Sequence, residues 1–161
     1  MSPMKFVNEK LEQTPLLVLC NHCENPPCVR ACPTQATWKN PDNGIVMMDF
    51  HRCIGCRFCM TACPFGARSF NFRDPRPFIN PAEQNKQFPT RTKGVVEKCS
   101  FCVERLAVGQ LPACVEASNG KLVFGDLYDE NSLISQQLRE YGGKEIRGDL
   151  GLNTGVRYRG I

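Results

Sequence analysis

The sequence predicts a small α+β fold built from two tandem half-repeats, each containing a short hairpin and a short helix. Two close cysteine runs support this prediction because both end in the same dipeptide, at Cys32-Pro33 and at Cys63-Pro64. Segments of strand-forming residues, separated by turn-forming residues, follow each run. The 161 residues include 12 prolines, 13 glycines and 11 cysteines, so we expect a small apolar core.

The second cysteine run defines the chemistry. It extends from Cys53 to Pro64 with the spacing C-x2-C-x2-C-x3-C-P. This is the spacing of the bacterial ferredoxin run, whose first three thiolates bind one iron–sulfur cubane. Cys63 lies about one helical turn beyond Cys59, and the fourth cysteine of such a run ligates the other cluster of a pair. A zinc ribbon is the alternative, but it uses separated C-x2-C pairs and four-ligand tetrahedral sites.

The first run, from Cys20 to Pro33, is the same cysteine motif with a wider middle gap. Its spacing is C-x2-C-x4-C-x3-C-P, and Pro26-Pro27 stiffens the longer gap. We therefore expect bacterial ferredoxin-like half-repeats that exchange their fourth ligands between two 4Fe–4S clusters. Cluster A would be held by Cys20, Cys23, Cys28 and Cys63. Cluster B would be held by Cys53, Cys56, Cys59 and Cys32.

A third cysteine group consists of Cys99, Cys102 and Cys114. The residue four positions beyond Cys114, where a closing cysteine would fall, is Ser118. Three thiolates do not complete a cubane, so the alternatives are a fourth ligand from another segment, a three-iron 3Fe–4S cluster, or a vestigial site. We expect a third cluster here, either 4Fe–4S or 3Fe–4S, because unligated exposed thiols oxidise readily.

The chain divides into five predicted segments. They are an arm or leader remnant (1–14), a two-cluster core (15–72), a proline-rich irregular insertion (73–98), the third cysteine group with a strand and a helix (99–141), and a C-terminal tail (142–161). We expect the tail to lie on this subunit or on a neighbouring one. The insertion is interpreted as a cover over the clusters or as a partner contact.

Within these segments the residue pattern predicts several elements. They are a buried strand or extended segment at 16–20, a hairpin of strands 36–39 and 45–49 around the turn 40–44, a strand at 67–72, a helical spacer at 103–108, a strand at 121–127, and a helix that Asn131 caps and that ends near Tyr141. Leu133, Ile134, Leu138 and Tyr141 would form the apolar face of that helix and pack in the core.

Several large or potentially ligating residues near the cysteines are expected to have structural roles rather than to carry electrons or bind iron. Trp38, Met47 and Met48 are expected to pack around the clusters rather than to carry electrons. His22 and His51 could ligate iron, but both predicted clusters already have four thiolates. We therefore expect the histidines to support the ligands or to be exposed.

Composition and charge exclude other classes of function. The odd number of cysteines, placed in close runs, argues against a disulfide framework. The formal charge of +4 is spread along the chain without a basic block, so we expect no nucleic-acid partner. The longest apolar run, Leu16 to Cys20, is far shorter than the roughly 20 residues that span a bilayer, and no secretory or twin-arginine signal occurs.

Together the three cysteine motifs resemble the multi-cluster ferredoxin subunits of bacterial membrane-bound oxidoreductases, of the polysulfide and dimethyl sulfoxide reductase type. Within that family, residues 20–30, 44–53, 73–78 and 89–99 most resemble the periplasmic iron–sulfur subunit of the membrane complex that accompanies dissimilatory sulfite reductase. Family members usually carry another cysteine run before the one at Cys20. The resemblance therefore implies that one ligand of the third site, and one further cluster, depend on such a run.

The resemblance implies a non-catalytic electron-transfer subunit of a respiratory or sulfur-metabolism complex. It would relay single electrons between a quinone-reactive integral membrane subunit and a redox partner such as a multihaem cytochrome c, peripherally on the periplasmic face of the cytoplasmic membrane. The chain has no nucleophile with a base, phosphate loop or open metal position, so we expect no small-molecule substrate. The alternatives are the electron-entry subunit of a molybdopterin oxidoreductase and a structural zinc-binding assembly module.

Overall fold

The computed structural model of the chain describes residues 4–7, 10–13, 16–82, 84–86 and 91–161, and in the first two ranges it describes the backbone. The strands within these ranges are β1 (Met4–Val7), β2 (Lys10–Gln13), β3 (Thr37–Lys39), β4 (Val46–Met48), β5 (Ser69–Phe70) and β6 (Val96–Glu97). The α-helices are α1 (Pro27–Arg30), α2 (Phe58–Thr61), α3 (Val103–Leu106), α4 (Ala113–Ala117) and α5 (Leu133–Tyr141). These short elements form an α+β fold, as the sequence predicted.

Within the described residues, each strand pairs with its neighbour in sequence to give three two-stranded antiparallel sheets, β1 with β2, β3 with β4, and β5 with β6. In the first, Met4 lies opposite Gln13 and Val7 opposite Lys10. Residues 1–14 were expected to be an arm or a leader remnant rather than a structural element. That expectation is wrong for residues 4–7 and 10–13, which form β1 and β2. This mostly polar segment contains three apolar residues that are compatible with strands, Phe6, Val7 and Leu11.

The hairpin of β3 and β4 confirms the predicted strand, turn and strand. Trp38 lies opposite Met47 across the pair. The turn is held by two asparagine side chains that accept backbone hydrogen bonds, Asn40 from Asp42 at 3.0 Å and Asn43 from Ile45 at 3.0 Å. Met48 packs against the core as expected, whereas Trp38 is exposed, so the packing interpretation fails for that side chain.

The core lies between the two cysteine runs. Its buried residues are Cys28, Val46, Cys59 and Val96, and Val29, Met48, Cys53, Met60 and Phe70 pack around them. Helix α1 contacts both α2 and β3. The two runs therefore pack against each other through one small core that includes a cysteine from each of them.

The predicted strand at 67–72 is present as β5, and its partner β6 lies near the end of the predicted insertion 73–98. Phe70 pairs with Val96. The insertion is therefore not irregular throughout, because it contains β6. Val95 and Val96 are buried, and Val96 belongs to the core. A short 3₁₀ turn, Arg76–Phe78, follows β5. Residues 83 and 87–90 of this segment lie outside the described residues.

Three further predictions need correction. Residues 16–20 form no strand, and Leu17 is 57% exposed, so burial is wrong for that side chain, while the alternative of an extended segment stays a prediction. Residues 121–127 also form turns and irregular backbone rather than a strand. Helix α5 is present, but its cap is Ser132, which accepts a hydrogen bond from the backbone N–H of Ser135 at 3.3 Å, and not Asn131.

The apolar face of α5 is not part of the core. Leu133 is 60% exposed and Tyr141 is 49% exposed, while Ile134 and Leu138 are partly buried. The helical spacer predicted at 103–108, within the third cysteine group, is confirmed as α3, which ends at Leu106. The C-terminal half of the chain is thus held by turns and hydrogen bonds more than by a core of its own.

Candidate metal centres

Four thiols from the two cysteine runs line one pocket. Cys20, Cys23 and Cys28 come from the first run, and Cys63 comes from the end of the second. The other residues that line it are Asn21, His22, Pro26, Pro27, Val46, Pro64, Phe65 and Arg68. The structure therefore brings together the cysteines that the sequence assigned to cluster A, including the one contributed by the other run.

Each run delivers its last cysteine through one turn of helix. Pro27 occupies the first position of α1, where its missing N–H and fixed φ are tolerated. The N–H of Cys32 then donates to the carbonyl of Val29 at 3.2 Å. In the second run, Arg57 has a left-handed φ of 63° before α2, and the N–H of Cys63 donates to Met60 at 3.3 Å.

Cys59, one of the four cysteines assigned to cluster B, lies close to Cys28 of the first pocket and to Cys53 of its own set. Burial is the largest effect that raises the pKa of the Cys59 thiol, and the nearby thiols of Cys28 and Cys53 add to it. Burial opposes ionisation of Cys32, but hydrogen bonds from the backbone of Thr37 and from Thr34 outweigh it and lower the pKa. Cys28, assigned to cluster A, and Cys59, assigned to cluster B, are therefore neighbours in the core.

The donor set fits thiolate ligation of a cluster. Burial raises the pKa of Cys23 to about 11, with further contributions from Cys20, Cys28 and Cys63. Iron would replace the protons of these buried thiols and relieve the repulsion between their thiolates. Among the described residues, no three or more His, Cys, Asp or Glu side chains are grouped around the position of a single ion. Each thiolate of a cubane binds a different iron, so its ligands need not meet at one point.

Arg68 is a functional candidate that the sequence analysis missed. Its guanidinium is 5% exposed and donates to Cys28 Sγ at 3.0 Å and to Thr37 Oγ1 at 2.9 Å. Burial opposes its charge, but the thiolates of Cys28 and Cys59 outweigh burial and raise its pKa. The sequence does contain one indication of this role, because Arg68 is the only charged residue in the segment 64–68 and lies five residues after Cys63.

His22 supports the backbone around the first pocket. Its Nδ1 accepts a hydrogen bond from the N–H of Val46 at 3.1 Å, and its ring stacks on Phe101 with centroids 3.7 Å apart. Burial, followed by the charge of Lys98, lowers the pKa of His22 to about 2, so the ring is neutral. His51, in contrast, is exposed.

The third cysteine group lies next to the first pocket. Burial is the main effect that raises the pKa of Cys99, and the thiols of Cys20 and Cys114 contribute. Arg105 holds the intervening loop, because it donates to the carbonyl of Leu111 at 2.8 Å and pairs with Glu116 at 2.6 Å. Cys99 is therefore within electrostatic range both of its own group and of a cysteine assigned to cluster A.

Ser118 occupies the position of the missing fourth cysteine but has a structural role. Its hydroxyl donates to the carbonyl of Val115 at 2.8 Å and accepts from the N–H of Leu122 at 3.0 Å. These bonds hold the end of α4 and the turn that follows it. Cys114, four residues earlier, is exposed.

Comparison with known proteins identifies the family. Residues 14–75 match the sequence model of the 4Fe-4S dicluster domain. The chain is 34% identical to the arsenate respiratory reductase iron-sulfur subunit ArrB of Shewanella sp. strain ANA-3, over 92% of this chain and 76% of that protein. The chain belongs to this family of iron–sulfur subunits. The resemblance and the 4Fe–4S type of the cofactors, though not the number of clusters, are therefore confirmed.

Other relatives of this iron–sulfur subunit occur in several oxidoreductases. It is 53% identical to the Hdr-like menaquinol oxidoreductase iron-sulfur subunit 1 of Archaeoglobus fulgidus, over 94% of this chain and 58% of that protein. It is 43% identical to the thiosulfate reductase electron transfer subunit PhsB of Salmonella typhi, over 80% of this chain and 55% of that protein. The chain thus spans about half the length of several curated relatives that it matches. No helix among its described residues has the length and apolar character needed to cross a membrane.

The C-terminal tail of the iron–sulfur subunit packs on the first cysteine run. Gly155 N–H donates to the carbonyl of Asn21 at 2.8 Å, and the N–H of Glu24 donates to Asn153 at 2.9 Å. Leu152 and Thr154 are buried. The sequence left open whether the tail lies on this chain or a neighbour, and these backbone bonds place it on this chain. They hold in place the loop that carries Cys20 and Cys23.

Proposed function

We propose that the subunit relays single electrons between a quinone-reactive membrane subunit and a redox partner, without binding a small-molecule substrate. The pocket that combines Cys63 with the cysteines of the first run carries this proposal. A four-iron cluster bound to such thiolates takes up and releases one electron. The chain itself provides the thiolates, the buried surroundings and the fixed spacing between neighbouring sites.

The proposed ligation is crossed between two half-repeats. Cluster A is bound by Cys20, Cys23, Cys28 and Cys63, and cluster B by Cys53, Cys56, Cys59 and Cys32. The pocket supports the first set, and the contact between α1 and α2 supports the pairing of two similar halves. The proximity of Cys28 to Cys59 supports adjacent sites.

A third cluster at Cys99, Cys102 and Cys114 would extend the relay. Cys99 is close enough to Cys20 for their charges to interact, just as Cys28 is to Cys59. Cluster A would then lie between cluster B and the third site, so electrons would pass through it in either direction. The hydrogen bonds of Ser118 support a fourth ligand from outside this group or a three-iron cluster.

The relatives support a place in an oxidoreductase complex. The menaquinol oxidoreductase relative of Archaeoglobus fulgidus supports a quinone-linked partner. From the resemblance of the cysteine motifs, we propose that this partner is an integral membrane subunit and that the redox partner on the other side is a multihaem cytochrome c or another redox subunit. We place the subunit on the periplasmic face of the cytoplasmic membrane. The thiosulfate and arsenate reductase relatives favour a second candidate, the electron-entry subunit of a molybdopterin oxidoreductase.

Two measurements test this proposal. Iron and acid-labile sulfide in the anaerobically purified chain should amount to about eight of each for two cubanes, and about eleven or twelve irons with the third cluster. Zinc in place of iron would contradict the proposal. In the intact complex, a menaquinol analogue should reduce the oxidised clusters, or a menaquinone analogue should oxidise the reduced ones, as followed by electron paramagnetic resonance. Clusters that respond to dithionite but to neither quinone form would refute the proposed partner.

A further inference from the structure

A buried cation lies between the two proposed clusters. The guanidinium of Arg68 donates to Cys28 of cluster A and lies close to Cys59 of cluster B. We infer that Arg68 raises the reduction potential of cluster A strongly and that of cluster B less, so that the two sites share one potential-setting residue. This inference rests on the ligand sets in the proposed function, and it adds a role for a residue that is not a ligand.

The direction of the effect follows from charge. Reduction adds one negative charge to a thiolate-bound cluster, and a nearby cation stabilises the reduced form more than the oxidised form. Arginine remains charged under all ordinary conditions. Its N–H groups also hydrogen-bond to sulfur, which is a recognised determinant of cluster potential. Because Arg68 is 5% exposed, water and salt screen its charge far less than that of a surface arginine.

The contacts predict different effects at the three sites. A terminal nitrogen of Arg68 lies 3.0 Å from Cys28 Sγ. Arg68 acts on Cys59 first through its charge and then through a weaker side-chain hydrogen bond. A second partly buried cation, Lys98, donates to the carbonyl of Cys99 at 2.6 Å and acts electrostatically on Cys20 and Cys99. Removal of Arg68 should therefore lower the reduction potential of cluster A most and that of cluster B less. The potential of the third site should stay nearly unchanged.

Thr37 fixes the position of the guanidinium. Its Oγ1 accepts from Arg68 at 2.9 Å and donates to the carbonyl of Met47 at 2.7 Å, across the β3–β4 hairpin. Met48 Sδ lies 3.5 Å from the other terminal nitrogen of Arg68. The hairpin thus orients the cation toward Cys28, and loss of the Thr37 hydroxyl should weaken the effect without removing the charge.

The test is a potentiometric titration of the cluster-loaded chain, followed by electron paramagnetic resonance. Arg68→Met should decrease the equilibrium constant for reduction of cluster A at least tenfold, which is 59 mV for one electron. The reduction potential of cluster B should also decrease, but by less than that of cluster A. Arg68→Lys should restore at least half of the shift at cluster A. The matched control is Arg30→Met, which removes an exposed arginine from α1 and should leave all potentials unchanged.

An unchanged potential of cluster A in a cluster-loaded Arg68→Met chain overturns the inference, and so does an equal shift in the Arg30→Met control. If the methionine variant fails to assemble clusters, Arg68→Gln and Thr37→Val take its place. A lower potential of cluster A in Arg68→Gln, with a smaller decrease in Thr37→Val, supports the inference. An unchanged potential of cluster A in Arg68→Gln overturns it, whatever Thr37→Val shows. Absence of 4Fe–4S signals from the unmodified chain would instead contradict the proposed function.

Discussion

Replacement of Gly55 by alanine should destabilise the second cysteine run by an amount that the structure allows us to estimate. Gly55 has φ +70°, and left-handed backbone costs an L-residue about 1–2 kcal/mol. An added Cβ would also collide with the carbonyl oxygen of Gly94 and lie 3.2 Å from the ring of Phe70. A backbone oxygen cannot rotate away, and overpacking of this kind costs about 1–3 kcal/mol. The expected total is about 2–5 kcal/mol.

Gly66→Ala is the matched control. Gly66 also has a left-handed φ, +61°, but nothing lies within 4 Å of a Cβ added there. Gly66→Ala should therefore lower the free energy of unfolding only by the cost of the left-handed backbone, about 1–2 kcal/mol. Anaerobic thermal unfolding of the cluster-loaded variants, followed by circular dichroism, measures the difference. For a chain of this size, each kcal/mol shifts Tm by about 2–4 °C. Equal Tm values for the two variants would refute the close approach of residues 55 and 94.

Two further substitutions test the role of contacts outside the cysteine runs. Ser118→Ala should lower the free energy of unfolding by about 1 kcal/mol, because two hydrogen bonds at the end of α4 are lost, and it should leave the iron content unchanged. A drop in iron content would contradict the expectation that cluster binding does not depend on Ser118. Leu152→Ala should cost about 2–5 kcal/mol and cause cluster A to bleach before cluster B on warming, because the tail holds the loop of Cys20 and Cys23. Simultaneous bleaching would show that the tail does not support that loop selectively.

The features that the sequence predicted well are local. The β3–β4 hairpin follows from strand-forming residues on both sides of a turn in which Asn40 and Asn43 bind nearby backbone. The cysteine spacing predicts which thiols belong to one loop. The pocket that includes Cys63 agrees with the crossed pairing, which the sequence could only infer from the known behaviour of such runs.

The missed features depend on long-range contacts. Arg68 resembles a surface cation in the sequence, and only its contacts with Cys28 and Thr37 show that it is buried. The tail has no periodic pattern because backbone hydrogen bonds, rather than an apolar face, attach it to residues 21–25. The strand expected at 121–127 is absent because that segment finds no partner strand within the described residues, and strand propensity depends on such pairing.

The crossed ligation of cluster A is tested most directly by Cys63→Ser. Its electron paramagnetic resonance spectrum, recorded on the reduced anaerobic chain, should show the same cluster damaged as in Cys23→Ser, because both residues line one pocket. Cys56→Ser supplies the reference for damage to cluster B. A Cys63→Ser spectrum that matches Cys23→Ser, with the signal of cluster B intact, is the expected result. A spectrum that instead matches Cys56→Ser would contradict the crossed assignment.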